Sequence, residues 1–160
     1  MGCGLSIDAL EAVYRRGYRR FLRLALAVTG DQETAREVVQ DAFAAALRSR
    51  FDFRGDGPPE AWVWRIVVNR ARSAVRQGDR FLDEPDEVVA ANREASDWAE
   101  LRVAVAALPE RQRLVVFLRH YADLDYQGIA ETLQIERGTV AATLHAAHKA
   151  LRQQLQEVPR

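Results

Sequence analysis

"LPERQRLVVFLRHYADLDYQGIAETLQIERGTVAATLHAAHKAL", residues 108 to 151, decides how the chain is read. Pro109 falls at the first turn of a helix that runs to about Tyr121. Leu114, Val115, Phe117, Leu118 and Tyr121 form its apolar stripe at helical spacing. Asp125 is placed to cap a short helix that buries Tyr126, Ile129, Ala130 and Leu133. "QIERG" (134–138) then turns the chain into a last helix, which packs through Val140, Leu144, Ala147, Leu151 and Leu155, a spacing of four and three. Two short helices joined by a tight turn, behind a third that supports them, make a helix-turn-helix pattern.

Working outward, helical spacing resumes upstream over Trp98 to Ala107. Between residues 78 and 97 it disappears. Residues 79 to 100 hold 2 basic and 8 acidic side chains, with Pro85 and a short apolar Val88-Val89, and read as an acidic tether that has room for one helical turn. The two flanks are mildly basic: 13 basic against 9 acidic residues over 8–76, and 8 against 6 over 101–160. The formal net charge of the whole chain is zero, so the global balance says nothing for or against nucleic acid.

The N-terminal half is also helical. From Leu10, the apolar residues Val13, Tyr14, Gly17, Tyr18, Phe21, Leu22, Leu24, Ala25 and Val28 follow one helix face, and Arg15, Arg16, Arg19, Arg20 and Arg23 take the others. "TGDQETA" stops that helix and starts the next, with Gly30 as C-cap and Asp31 as N-cap. A helix over about 33–49 follows, with Ala35, Val38, Val39, Ala42, Phe43, Ala46 and Leu47 on one side. "FDFRGDGPPE" is a Gly- and Pro-rich loop, and Pro59 suits a helix start. The third helix, about 59–77, carries Trp62, Trp64, Ile66, Val67, Ala71, Ala74 and Val75; one of the two tryptophans is expected in the core. No segment alternates with period two, so no sheet is expected. The fold class is all-α: two small helical modules, 8–77 and 98–157, joined by an acidic linker, 78–97.

In this order and at these spacings, VTGDQETAREVVQDAF (28–43), FDFRGDGPPEAWVWRIVVNRAR (51–72) and the stretch 108–140 make a specific constellation. The sequence resembles bacterial RNA polymerase sigma factors of the extracytoplasmic-function type, which consist mainly of conserved regions 2 and 4. The resemblance covers nearly the whole chain. It implies that Glu37, Gln40 and Asp41 dock on core RNA polymerase, where acidic and amide side chains pair with arginines of a partner. It also implies that Arg54 and the helix after it meet the minus-10 element. Holding an unstacked strand takes aromatic faces and cations along a backbone, and Trp62, Arg65, Asn69, Arg70 and Arg72 are residues of those types. The second module would read the minus-35 duplex through its last helix, while the tether spans between. Promoter DNA and core polymerase are the implied partners, with an anti-sigma factor as a further one that no residue here identifies. No cofactor is implied.

The last helix departs from that pattern. The family commonly reads GTV followed by lysine, serine and arginine; this chain reads GTV followed by Ala141, Ala142 and Thr143. It also has Val68 where the minus-10 helix often carries arginine. The face opposite the apolar seam presents Arg137, Ala141, Ala142, His145, His148, Lys149 and Arg152, with Thr139 at the helix start. Alanine can still touch a thymine methyl, so Ala141 and Ala142 stay among the candidate contacts. Two readings remain open. In one the chain is a working initiation factor with few minus-35 contacts; in the other it is a sigma-derived interaction protein that binds polymerase, an anti-sigma factor or another partner without reading DNA.

Other chemistry finds no footing. Cys3 is the only cysteine, so there is no intrachain disulfide or cysteine-based metal site. His145 and His148, at i and i+3, lack a third ligand, and no metal site is expected. No phosphate loop or nucleophile motif is present, so no enzyme is expected. MGCGLS fits a short and common myristoylation pattern. With no bilayer-length apolar run and no secretory signal, a cytoplasmic protein with no further C-terminal domain is expected.

Overall fold

The computed structural model describes residues 4–78 and 96–157. Seven α-helices account for most of them: α1 (Ile7–Thr29), α2 (Gln32–Arg48), α3 (Pro59–Gly78), α4 (Ser96–Ala106), α5 (Glu110–His120), α6 (Tyr126–Leu133) and α7 (Arg137–Gln156). Among the described residues there is no strand. The tether expected over 78–97 lies outside the described residues except at its ends, where α3 finishes and α4 begins. The chain separates into two compact units, one carrying α1 to α3 and the other α4, α5, α7 and the N-terminal part of α6.

In the first unit every helix pair is in contact. α1 starts at Ile7, earlier than the apolar pattern alone suggests, because Ser6 caps it: the hydroxyl accepts from the Ala9 amide at 3.1 Å. Gly30 ends it in the left-handed region at φ 74°, its N–H donating to the Leu26 carbonyl. Asp31 opens α2, accepting from the Thr34 amide at 2.7 Å and the Thr34 hydroxyl at 2.6 Å, and the same bonds hold its carboxyl below the usual range. The loop after α2 is more ordered than its glycines and prolines imply, since Arg50–Asp52 form a 3₁₀ turn.

The core of this unit is aromatic. Trp64 and Phe21 are fully buried with ring centroids 4.3 Å apart, and Phe43 meets Phe21 edge-on at 5.4 Å. Gly17 lies one turn before Phe21, where a Cβ would run into the Phe21 ring, so glycine leaves room for that ring in its buried position. Leu24, Val39, Val63, Val67 and Val68 complete the seam. An ion pair between Arg20 and Glu60, 3.1 Å and half-buried, ties α1 to the start of α3; such a bond contributes at most about 1 kcal/mol.

In the second unit α4 and α5 both pack on α7. Leu114, Val115, Leu118, Val140, Leu144 and Ala147 are buried. Asp125 caps α6 through the Gly128 amide at 2.7 Å, as its position predicts. Two turns use left-handed residues that are not glycine. Asp123 (φ 58°) follows α5, with the Leu124 N–H on the Leu118 carbonyl at 3.0 Å, and Gln134 (φ 55°) joins α6 to α7, with the Ile135 N–H on the Ala130 carbonyl at 3.0 Å. At the far end of α7 the structure corrects the sequence expectation. Leu151 is half-buried and Leu155 is 40 % exposed, so the apolar spacing continues past the part of the helix that its neighbours cover.

Candidate nucleic-acid interface

α2 presents two unlike sides. Ala35, Val38, Val39, Ala42 and Ala46 are buried, which turns Glu37, Gln40 and Asp41 to solvent within about one-third of the helix circumference. All three are exposed. The arrangement offers two carboxylates and an amide, side by side, to a basic partner.

α3 sorts its tryptophans in the way the sequence left undecided. Trp64 is core, whereas Trp62 is half-buried at the surface, its ring 5.7 Å from that of Phe53 in the preceding loop. Arg54, Trp62, Arg65 and Asn69 border one surface hollow beside Phe53, with Asp56 also on its rim. Arg70 is exposed and Arg72 half-buried, and neither borders that hollow. Val68 is fully buried, so the position that often bears arginine in the resembling family is sealed into the core here. The exposed side of α3 therefore combines one aromatic face, an amide and guanidinium groups, the residue types that stack and neutralise a single strand.

On α7, Arg137, Ala141, Ala142, His145, Lys149 and Arg152 are exposed and Thr139 is half-buried. No side chain caps the first turn, because Glu136 stands at the N-cap without such a bond. His145, His148, Lys149 and Arg152 line one shallow hollow.

One pairing is invisible in the spacing. His148 meets His120 of α5, with Nε2 atoms 3.0 Å apart and ring centroids at 5.2 Å. One ring must donate and the other accept, so the pair holds a single proton between them. Burial, followed by the His148 and Arg119 charges, lowers the His120 pKa from its ordinary 6.5. The unfolded chain therefore takes up a further proton, which makes His120 an imidazolium, more readily than the folded one. The pair's contribution to stability is full above pH 6.5 and is lost as the pH falls below it. The unfolding midpoint should drop between pH 7 and pH 5 in a thermal melt, and His120→Gln should flatten that dependence.

Among the described residues no group of three or more His, Cys, Asp or Glu side chains gathers as a metal site, and no helix is long and apolar enough to cross a membrane.

Comparison with known proteins places both units. Residues 13–81 match the model for sigma-70 region 2 and residues 98–151 that for sigma-70 region 4. The chain is 30% identical to the RNA polymerase sigma-H factor of Pseudomonas aeruginosa over 177 residues, covering 97% of this chain and 89% of that protein. It is 32% identical to the ECF RNA polymerase sigma-E factor of Escherichia coli K12 over 143 residues, covering 78% of this chain and 75% of that protein. The fold is like that of the Bartonella quintana sigma factor RpoE, solved with the anti-sigma factor NepR (TM-score 0.81, 18% identity, 96% of this chain and 100% of that one). It is also like that of CnrH, solved with the cytosolic domain of CnrY (TM-score 0.73, 21% identity, 96% and 92%). With two modules matched in order and two relatives at this identity, the chain belongs to the sigma-70 family as an RNA polymerase sigma factor of the ECF type, a factor of transcription initiation.

Proposed function

We propose that residues 8–77 bind core RNA polymerase and the minus-10 element, that residues 98–157 bind the minus-35 element, and that the acidic segment 78–97 spans the two. Glu37, Gln40 and Asp41 on α2 make the polymerase contact. Arg54, Trp62, Arg65, Asn69, Arg70 and Arg72 hold the melted minus-10 strand. Arg137, Thr139, Ala141, Ala142, His145, Lys149 and Arg152 face the minus-35 duplex. The observation that carries this reading is the chemical division of the first unit. Its acidic and amide face lies on α2 and its aromatic and cationic face on α3, and a single aromatic core fixes both helices. One partner is thus met by carboxylates and the other, a polyanion, by guanidinium groups. The uncapped first turn of α7 adds amide donors to a surface otherwise short of cations.

An anti-sigma factor as a third partner is supported by the Bartonella quintana neighbour, which was solved with the anti-sigma factor NepR. The setting that fits these partners is the cytoplasm.

The test is run-off transcription with purified core polymerase. Charge reversal of the α2 face (Glu37→Lys with Asp41→Lys) should weaken polymerase binding at least about tenfold, roughly 1.4 kcal/mol, with the helical signal unchanged because both residues are exposed. Unaltered binding would remove α2 from the polymerase interface. The second reading, an interaction protein that does not read DNA, is favoured by the exposed Ala141 and Ala142. Polymerase binding with no initiation at any promoter would support it.

A further inference from the structure

We propose that Arg16, Arg19 and Arg23 of α1 form a sequence-independent grip on the phosphate backbone of promoter DNA, beside the strand-holding face of α3. From Ala12 to Thr29 the helix carries five arginines and no Asp or Glu. Arg15 meets Glu11 at 2.7 Å and Arg20 meets Glu60 at 3.1 Å. Arg16, Arg19 and Arg23 are exposed. At about 100° per residue these three fall within roughly 60° of the helix circumference, and at about 1.5 Å per residue they run along roughly 10 Å of it. Like charges three and four residues apart oppose a helix, so the stripe works against the fold that carries it. The packing of α1 comes from its other side, where Val13, Gly17, Phe21, Leu24 and Ala25 are buried.

The flanks of α1 show which surface the stripe joins. On one flank Tyr14 meets Tyr18 with ring centroids 5.2 Å apart, and meets Phe43 of α2 edge-on at 4.9 Å. On the other, Arg20 reaches Glu60 in the first turn of α3. Arg16 and Arg23 neighbour Arg20 on the helix surface, four residues before it and three after. The stripe therefore borders α3, which presents Trp62, Arg65, Asn69 and Arg70, and lies away from the α2 face of Glu37, Gln40 and Asp41.

A row of guanidinium groups at this spacing matches a nucleic-acid strand. Successive phosphates of one strand rise by about 3.4 Å along a duplex, so the stripe covers roughly three steps. It holds no aromatic ring for a base to stack on, and phosphate contacts carry no sequence information. That the polyanion is DNA rests on the promoter-binding role proposed above. To that role the stripe adds a contact that reads neither promoter element.

Filter binding of holoenzyme to a labelled promoter duplex over a salt series tests the stripe. Arg16→Ala, Arg19→Ala and Arg23→Ala together should lower the salt slope of log affinity by about 2.7, one phosphate for each arginine. Between 200 and 50 mM salt the unaltered holoenzyme should then gain roughly fortyfold more affinity than the variant. Lysine at all three positions should keep the slope, since an ammonium also neutralises a phosphate. The fall should be the same on a duplex with a scrambled minus-10 element. The three side chains are exposed, so the helical signal and the binding of core polymerase should not change. Equal slopes for the unaltered and alanine chains overturn the proposal, as does a lysine variant that behaves like the alanine one. Loss of polymerase binding overturns it too, because the stripe would then meet an acidic protein surface. Failure of the promoter-binding role reads out differently: holoenzyme that binds intact and scrambled minus-10 duplexes alike would sink that role and leave the fall in slope standing.

Discussion

Trp64→Ala is expected to unfold the first helical unit, whereas Trp62→Ala two residues away leaves it folded and disables it. Trp64 is fully buried against Phe21, which in turn meets Phe43, so truncation empties the centre of the three-helix contact. A buried tryptophan-to-alanine change costs about 3–5 kcal/mol, comparable with the whole stability of a small domain, about 5–15 kcal/mol. Urea denaturation followed by circular dichroism should show an early transition that α4 to α7 do not share. Trp62 is half-buried, its ring tilted against that of Phe53, so its removal should cost stability no more than about 1 kcal/mol. Its effect belongs to promoter opening. Stacking of one base on an aromatic ring contributes about 1–3 kcal/mol, so the variant should form open complexes roughly five- to a hundredfold less well. Permanganate footprinting of the minus-10 region measures this directly. Wild-type opening by Trp62→Ala would take the aromatic contact out of the mechanism, and a normally folded Trp64→Ala would contradict the core.

The second large effect is expected on α7. Arg137 and Lys149 are exposed, Arg137 in the first turn of α7 and Lys149 further along the same helix. If each neutralises one phosphate, Arg137→Ala with Lys149→Ala lowers the salt slope of log affinity by about 1.8. Between 200 and 50 mM salt the unaltered protein should then gain roughly twelvefold more affinity for a minus-35 duplex than the variant does. Stability should not change, since neither side chain packs. Fluorescence anisotropy of holoenzyme on promoters with and without a minus-35 element separates the two readings of the helix. Equal slopes for both proteins would mean that α7 does not grip DNA, and that Ala141 and Ala142 serve a protein contact instead.

The legible parts of this fold are those that local backbone chemistry dictates. Gly30 supplies a left-handed residue, Asp31 and Asp125 accept amide bonds, and Pro59 begins a helix; each acts within four residues of itself, and each is found where its type predicts. What spacing could not reveal depends on neighbours in space. Trp62 and Trp64 have the same composition and opposite fates because the loop bearing Phe53 reaches one and α1 reaches the other. Leu155 keeps the helical period of the seam, but period does not say where the neighbouring helices stop. The pairing of His120 with His148 leaves no trace in the spacing because the two lie 28 residues apart on different helices. For the interfaces the sequence named residue types, and the structure adds that Glu37, Gln40, Asp41, Arg65, Asn69, Arg70, Arg137, Lys149 and Arg152 are all at the surface.

The elbow between α6 and α7 has a consequence for how this chain can evolve. Gln134 sits at φ 55°, a conformation that disfavours any residue with a Cβ by about 1 kcal/mol or more. Glycine would relax the bend, though the freer unfolded chain would return part of the gain. The C-terminal half thus has headroom: a lineage moving to a hotter habitat could harden it with one codon, leaving every side chain on the outer faces as it stands.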